Sequence, residues 1–403
     1  MAGGSRTRSR LLVLGAGPAQ LGLLRAAHDR GLFVIAVDRD PSAPGFRYAD
    51  KRALVSSEDE PDVDRLARAE RVDALISPGA DWPVGIAARI AERLGLPHPI
   101  DGATAALATS KQRQRERLER AGVPQPRVLD EPAAPCVVKA PDRQGQRGLS
   151  VVLRDEELPA AIERAVEASR TEAFIAEELV DGPEVTVNAV SVEGEFHPLT
   201  VTDRLTADPP AFGVALAHVW PGAAESVAAI QSPSAAPSAG AAAVAVAARA
   251  AAALGIRNGP TYTQLRLGAD GPKVVELAAR LGGGHDAELC RLALGVDLNG
   301  LALDFALGER PSVAATQAPL AGGACVLFLV APEGELRSTE GAEAALAEEG
   351  IHEVRLYRPP GHRFGPLRRG SDRAGAIIAV GGDRDDALER ARRAAGAIRF
   401  LVG

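Results

Sequence analysis

The sequence predicts a multidomain chain, α/β at its N-terminal end and α+β beyond it, opening on a doubly wound parallel sheet. Three observations predict this. At 403 residues the chain exceeds the size at which one hydrophobic core stops growing, so two or three domains are expected. Over roughly the first hundred residues, short apolar runs alternate with amphipathic helical patterns, the signature of parallel strands joined by crossover helices. From Ser110 onward the pattern changes to charged helices, short strands and a hairpin.

The first unit is a strand over Leu11–Leu14, an amphipathic helix to about Arg30 and a second apolar strand, Phe33–Val37, ending at Asp38. The alternation continues with a helix near Asp62–Glu70, a strand Ala74–Ser77 and a helix Trp82–Leu94. The turn GAGPAQLG has the look of a dinucleotide-binding fingerprint. The third glycine of GxGxxG would fall at Gln20, however, and Gly22 comes two places late, so a tight strand-to-helix turn is the better reading. The charged run KQRQRERLERAG after Ser110 reads as a helix closed by Gly122, with Pro124 and Pro126 beyond it. Strands around Val137–Lys139 and Leu149–Leu153, a helix Asp155–Ser169 and a strand Ala173–Val180 form a small α+β module. A hairpin follows, Glu184–Ser191 with Glu195–Thr202, turning at Gly194. The Ala, Pro and Ser rich segment Ser232–Ala243 is a flexible loop or the entry to an Ala-rich helix ending near Leu254. The final unit, Gly322–Gly403, carries strands near Ala324–Val330, Glu353–Arg358 and Ala374–Val380 and a helix Asp383–Ala395.

Composition excludes several classes. Hydrophobic residues make up 46% and charged residues 25%, close to globular averages. A net charge of −7 gives no electrostatic support for binding nucleic acid. The basic cluster Ser5–Arg10 reads as a solvated tail. No apolar run reaches the length of about 18 residues needed to span a membrane, and Met1–Arg10 leads into a strand, so a soluble, cytoplasmic protein is expected. Cys136, Cys290 and Cys325 are odd in number and widely spaced, which fits buried reduced thiols better than disulfides or a zinc site.

Four segments carry chemistry. Lys111 opens the charged helix, where a surface charge is the plain alternative. Lys139 ends the apolar strand PCVVKA beside the glycine-containing loop Asp142–Ser150, a placement that can set an ammonium on a polyphosphate while loop amides cover it. In FIAEELVDGPEV, Phe174–Val185, an apolar strand ends in Glu177 and Glu178 and leads through Val180 to Glu184; alone this is a strand-turn-strand with exposed acids. In VVELAARLGGGHD, Val274–Asp286, Glu276 suits a metal and Arg280 suits a phosphate or carboxylate in transfer, beside three glycines that leave a ligand room.

In this order, lysine, second lysine with a glycine loop, EE-x-hydrophobic-x-G-x-E and E-x-x-x-R-x-G-G, the chain resembles the ATP-grasp superfamily. The similarity is greatest to carboxylate–amine ligases of the L-amino-acid ligase and carbamoyl-phosphate-synthase-like type. The resemblance implies a Rossmann-like N-terminal domain over 1–107, a nucleotide-binding domain over 108–319 with a lid at about 130–180, and a C-terminal α+β subdomain over 320–403. It implies ATP and Mg²⁺ or Mn²⁺. Lys111 and Lys139 would hold the phosphates under a lid carrying Gly145 and Gly148. Glu177 with the backbone of Glu178 and Val180 would read adenine, and Glu184 the ribose. Arg280 would stabilise the phosphoryl group and an acyl phosphate in transit; His285 and Asp286 would face the second substrate. Arg204 and His218, in the segment Val201–Gly222 that resembles the entry to the acceptor site, are further candidates, with a packed core histidine the plain alternative for His218. The partners implied are a small carboxylate and an amine, with a homodimer the ordinary oligomeric expectation.

The chain departs from the family pattern at the metal. Gln264 stands where an acid is usual and Ala278 where asparagine is usual, leaving Glu276 as the anionic ligand and the Gln264 amide oxygen as a neutral one. Two consequences compete: metal held largely by ATP oxygens and water, aided by Asp286 or Glu288, or loss of chemistry. Three functions follow. They are a ligase joining a carboxylate to an amine through an acyl phosphate, a carboxylating or formyl-transferring enzyme acting on a nucleotide precursor, and an impaired ATP-binding regulatory protein.

Overall fold

Strand β1 (Arg10–Leu14), helix α1 (Leu21–Asp29) and strand β2 (Phe33–Val37) form the first βαβ unit of a computed structural model that describes residues 8–223, 238–313 and 318–403. β3 (Lys51–Ala53), α2 (Glu60–Glu70), β4 (Ala74–Ile76) and α3 (Asp81–Leu94) follow. The four strands run parallel in the order β3-β2-β1-β4. Alternation along each strand decides the layers. Leu11, Val13, Val34 and Ala36 pack against Leu23, Leu24 and Ala27 of α1, whereas Leu12, Leu14, Ile35 and Val37 face Val63 of α2 and Ile86 and Ile90 of α3. Helices therefore cover both faces, as the doubly wound pattern requires. Arg8 is not loose as the tail reading expected: it pairs with Asp50 at 2.8 Å. Residues 5–7 of that cluster lie outside the described residues.

After α4 (Gly102–Ala108), helix α5 (Lys111–Arg120) starts at Ser110, whose side chain accepts from the Arg113 amide. β5 (Cys136–Lys139), β6 (Ser150–Val152), α6 (Leu158–Ala168) and β7 (Ile175–Glu178) build a separate antiparallel sheet, β6-β5-β7. Ala161 and Ala165 of α6 close its apolar face against Cys136, Val138 and Val152.

The hairpin β8 (Glu184–Val192) and β9 (Glu195–Thr206) leads to β10 (Ala215–Trp220), α7 (Ala239–Ala253), β11 (Gly259–Gly268), β12 (Gly271–Ala278), α8 (Asp286–Leu294) and α9 (Leu298–Ala306). The rest is β13 (Gly323–Leu329), β14 (Gly334–Glu340), α10 (Ala342–Leu346), β15 (Ile351–Leu356), β16 (Arg363–Phe364), β17 (Gly375–Gly381), α11 (Arg384–Ala397) and β18 (Arg399–Val402). Ser238 caps α7, accepting from the Ala241 amide at 3.1 Å, so the end of the Ala, Pro and Ser rich segment enters the helix; positions 232–237 lie outside the described residues.

One sheet in the order β12-β11-β8-β9-β10-β13-β17-β15 joins the central and C-terminal segments. The division expected near residue 320 thus does not interrupt the sheet. Its central strands have two unlike faces. Val185, Val187, Val201, Leu265, Val274 and Leu277 pack on Ala243, Ala247 and Ala250 of α7. The intervening residues, Glu184, Thr186 and Asn188 on β8, Thr202 and Arg204 on β9, Tyr262 and Gln264 on β11 and Glu276 on β12, form a polar face. Of the functional candidates, Glu184, Arg204, Gln264 and Glu276 project from that face.

Candidate active site

Two adjoining cavities lie over the polar face. The first, with about 790 Å³ of space that is partly open to solvent, lies between the small β5–β7 sheet and the central sheet. Its wall includes Lys111, Lys139, Gly145, Glu177, Glu178, Val180 and Glu184, separated by as many as 73 positions in the chain. The second, of about 1950 Å³, lies between the N-terminal domain and the central and C-terminal strands, and includes His218, Tyr262, Arg280, Gly283 and Gly284. Gln144–Arg147, Arg204, Gln264 and Glu276 border both.

The floor of the first cavity is an ion-pair network. Lys139 Nζ lies 2.7 Å from Glu177 Oε2, and Arg115 Nε lies 2.7 Å from Glu177 Oε1, with all three side chains buried. Burial pushes the Lys139 ammonium down to about 8, even though Glu177 pulls upward. Burial pushes Glu177 the other way, but Arg115 and Lys139 outweigh it and hold the carboxyl at about 2. Lys111 Nζ sits 2.8 Å from Glu276 Oε1. Burial raises the Glu276 pKa, yet Lys111 draws it below the usual carboxylate range. Antiparallel register sets Gln264 directly opposite Glu276, at a bulge that breaks the ladder after Gln264. Arg280 is oriented by Asp81 at 2.5 Å between Nε and Oδ1, and by the Leu281 carbonyl, to which Nη1 donates at 2.7 Å. The Asp81 amide in turn donates to the Gln144 side-chain oxygen, tying the β5–β6 loop to the start of α3.

The L-amino acid ligase C-terminal domain 2 family matches residues 327–403. A 33% identical stretch of 152 residues is shared with the uncharacterized protein y4rH of Sinorhizobium fredii, covering 37% of this chain and only 31% of that protein. A formate-dependent phosphoribosylglycinamide formyltransferase of Burkholderia vietnamiensis is 27% identical over 98% of this chain and 96% of its own length. The crystal structure of an L-amino acid ligase from Bacillus licheniformis superposes with a TM-score of 0.82, covering 99% of this chain and all of that one at 21% identity. The chain has the ATP-grasp fold.

On the ATP-grasp framework, most candidates converge but several have other tasks. The Glu177 carboxylate is consumed by Lys139 and Arg115, so it positions the lysine and is not free to read a base. The Glu178 carboxylate faces Lys273 at 2.6 Å, and Val180 lines the cavity. Glu184 is held by Arg204 at 2.8 Å, so Arg204 sits on the border of the two cavities with a carboxylate already in place. Gly145 has open space around it. Gly148 is absent from the cavity wall: a Cβ there would meet Ala168 Cβ at 2.7 Å, so it packs the loop against α6.

The second-substrate candidates divide. His218 lines the larger cavity while its Nδ1 meets Asp286 Oδ1 at 2.9 Å. Asp286 itself is fully buried behind it, bound also by Asn188 at 3.4 Å and the Gly284 amide at 3.2 Å, and does not reach the cavity. His285 was expected to face the second substrate. Instead its positive φ of 62° turns it inward, where Tyr357 Oη lies 2.5 Å from Nε2 and Arg355 Nη1 lies 2.8 Å from Nδ1. Glu288, considered as an aid to the metal, is paired with Arg355 at 3.0 Å. The sequence reading missed Arg115, Asp81, Tyr262 and the loop arginines Arg143 and Arg147. Arg115 had a signal: an arginine one helical turn after Lys111 lies on the same helix face. Asp81 had none, because its partner is 199 positions away.

Proposed function

We propose that the protein is an ATP-dependent ligase that activates a small carboxylate as an acyl phosphate and joins it to an amine, releasing ADP and phosphate. The observation that carries this reading is the shared border: Glu276 and Gln264 lie between a lysine-floored cavity and a larger one whose wall bears Arg280. A nucleotide in the first would present its terminal phosphate where a second substrate arrives. Lys111 and Lys139 supply positive charge for the phosphates, and the Gly145 loop covers them. Glu276 and the Gln264 amide oxygen are hard oxygen donors and fit Mg²⁺ held otherwise by phosphate and water; among the described residues, no group of three or more His, Cys, Asp or Glu side chains offers a fuller protein cage. When bound, the ion would neutralise charge on the transferring phosphate.

The substrate carboxylate oxygen attacks the terminal phosphorus, the bond to ADP breaks, and Arg280, fixed by Asp81, stabilises the transferred group. The amine nitrogen then attacks the carbonyl carbon, the C–O bond to phosphate breaks, and the ammonium loses a proton. The test is ADP and phosphate release across a panel of acid and amine pairs. Intact ATP binding with no turnover over the whole panel would count against the ligase. A second reading, formyl or carboxyl transfer to a nucleotide precursor, draws on the full-length similarity to formate-dependent formyltransferases. Formate- or bicarbonate-dependent ADP release would select it.

A further inference from the structure

Arg170 lies just after α6, on the side of the β5–β7 module that faces the N-terminal domain. Its Nη2 sits 2.8 Å from Glu58 Oε2, and its guanidinium carbon lies 4.3 Å from the centre of the Trp82 ring. Among the described residues this is the one ion pair that joins the β5–β7 module to the N-terminal domain. An ion pair at a surface is usually worth little. Here both side chains are largely covered, 19% and 33% exposed, and the Trp82 face adds a cation–π contact. Burial raises the Glu58 carboxyl, yet Arg170, with Arg147 and Arg143 behind it, draws it below the usual carboxylate range.

The same arginine is bonded to the loop over the phosphate lysines. Asp142 Oδ2 accepts from the Arg170 amide at 2.9 Å and from the hydroxyls of Ser169 and Thr171 at 3.3 Å each. Arg143, the next residue, donates from Nε to the Ala168 carbonyl, and its own carbonyl accepts from Lys111 Nζ at 2.5 Å. A continuous path of polar contacts thus runs from Glu58 through Arg170, Asp142 and Arg143 to Lys111, which lines the nucleotide cavity. The start of α3 touches this path at two adjacent residues: the Asp81 amide donates to Gln144, and Trp82 stacks on Arg170. Neither Glu58 nor Arg170 lines the nucleotide cavity, so they act on it only through the loop.

We propose that Glu58 and Arg170 are positioning residues that latch the β5–β7 module onto the N-terminal domain, and that nucleotide leaves the first cavity only after this pair parts. The inference rests on the reading that ATP fills that cavity. Because Asp142 and Arg143 are both bonded to residues 168–171, the loop over the phosphates cannot lift while Arg170 stays on Glu58 and Trp82. Breaking the pair raises the population of the open loop, and a bound nucleotide escapes in proportion.

The test is stopped-flow release of a fluorescent, non-hydrolysable ATP analogue with Mg²⁺ from the full chain. No second substrate is added, because Glu58 also borders the larger cavity. Glu58→Gln and Arg170→Met are each expected to speed release by about tenfold, with Arg170→Lys falling between. The double variant is expected to be no faster than either single one, because both substitutions remove the same contact. Hydrogen exchange on the nucleotide-free chain is the second readout: residues 142–150 and 168–171 exchange faster in both variants while β1–β4 keep wild-type protection. Release within about twofold of wild type, or effects that multiply in the double variant, overturns the inference. If the analogue does not bind wild type, the nucleotide reading falls and hydrogen exchange alone decides the latch. Faster exchange at residues 142–150 in both variants then upholds it, and unchanged exchange overturns it. Should a variant lose protection in β1–β4 as well, Arg170→Lys and Glu58→Asp carry the comparison with the same outcomes.

Discussion

At the scale of single residues, the site works by pairing charges that would be costly alone. Glu177 is the clearest case, a buried carboxylate shared by Arg115 and Lys139. Its folded pKa of about 2 lies below the ordinary 4.5. The stability it contributes is thus fully present above about pH 4.5 and lost as pH falls toward 2. Glu177→Gln leaves two buried cations unmatched and should cost about 3–5 kcal/mol near neutrality. Urea unfolding at pH 7 and pH 3 checks this, since the gap between variant and wild type must narrow at the lower pH. Gln264 makes the opposite prediction. Placed opposite Glu276, a second carboxylate in Gln264→Glu should raise Mg²⁺ affinity by about tenfold, roughly 1.4 kcal/mol, in a metal titration of nucleotide binding. Unchanged affinity would remove Gln264 from the metal shell.

At the scale of elements, alternation in β8, β9 and β11 did most of the work. Two-residue periodicity sends Val185, Val187 and Leu265 to α7 and leaves Thr186, Asn188 and Gln264 on the functional face. The loop between β5 and β6 shows how two glycines of one motif can differ. Gly148 combines a φ of +70° with Ala168 and Ala140 at contact distance, while Gly145 has a φ of +66° and open space. Gly148→Ala should destabilise the β5–β7 module by about 1–3 kcal/mol through overpacking and backbone strain. Gly145→Ala should cost only about 1 kcal/mol, from strain alone. Hydrogen exchange on β5 and α6 would distinguish them, and equal effects would refute the packing role. β14, β16 and β18 were not read from the sequence. GELRSTE in β14 has one buried apolar residue, Leu336, and its pairing with β18 joins segments about 60 positions apart.

At the scale of the whole molecule, the N-terminal domain reaches the chemistry through Asp81. That carboxylate, at the start of α3, holds Arg280 on the wall of the larger cavity, and the Asp81 amide holds Gln144 of the loop over the nucleotide cavity. Asp81→Ala should therefore reduce kcat by about 10–100-fold through misplacement of Arg280 while leaving ATP affinity within about threefold. Steady-state kinetics with ATP and the cognate acid separates the two, and a loss confined to ATP affinity would show that Asp81 serves the nucleotide instead. Removing Mg²⁺ with a chelator should abolish turnover without unfolding the chain, because among the described residues the protein offers the ion no cage on which folding depends.

The linear sequence by itself determined the doubly wound opening, the hairpin, and the residues that gather at the nucleotide cavity. These follow from local periodicity and from side-chain chemistry repeated in a fixed order. Tertiary structure alone decided which of those residues remain free to act. Glu177 is taken by Arg115, 62 positions away, Asp286 is sealed behind His218, and His285 is turned inward by one positive φ toward Arg355 and Tyr357. The reason is physical: whether a charged or polar side chain serves a ligand depends on whether its partner is already supplied by the fold, and that partner arrives from a distant part of the chain only when the sheets close.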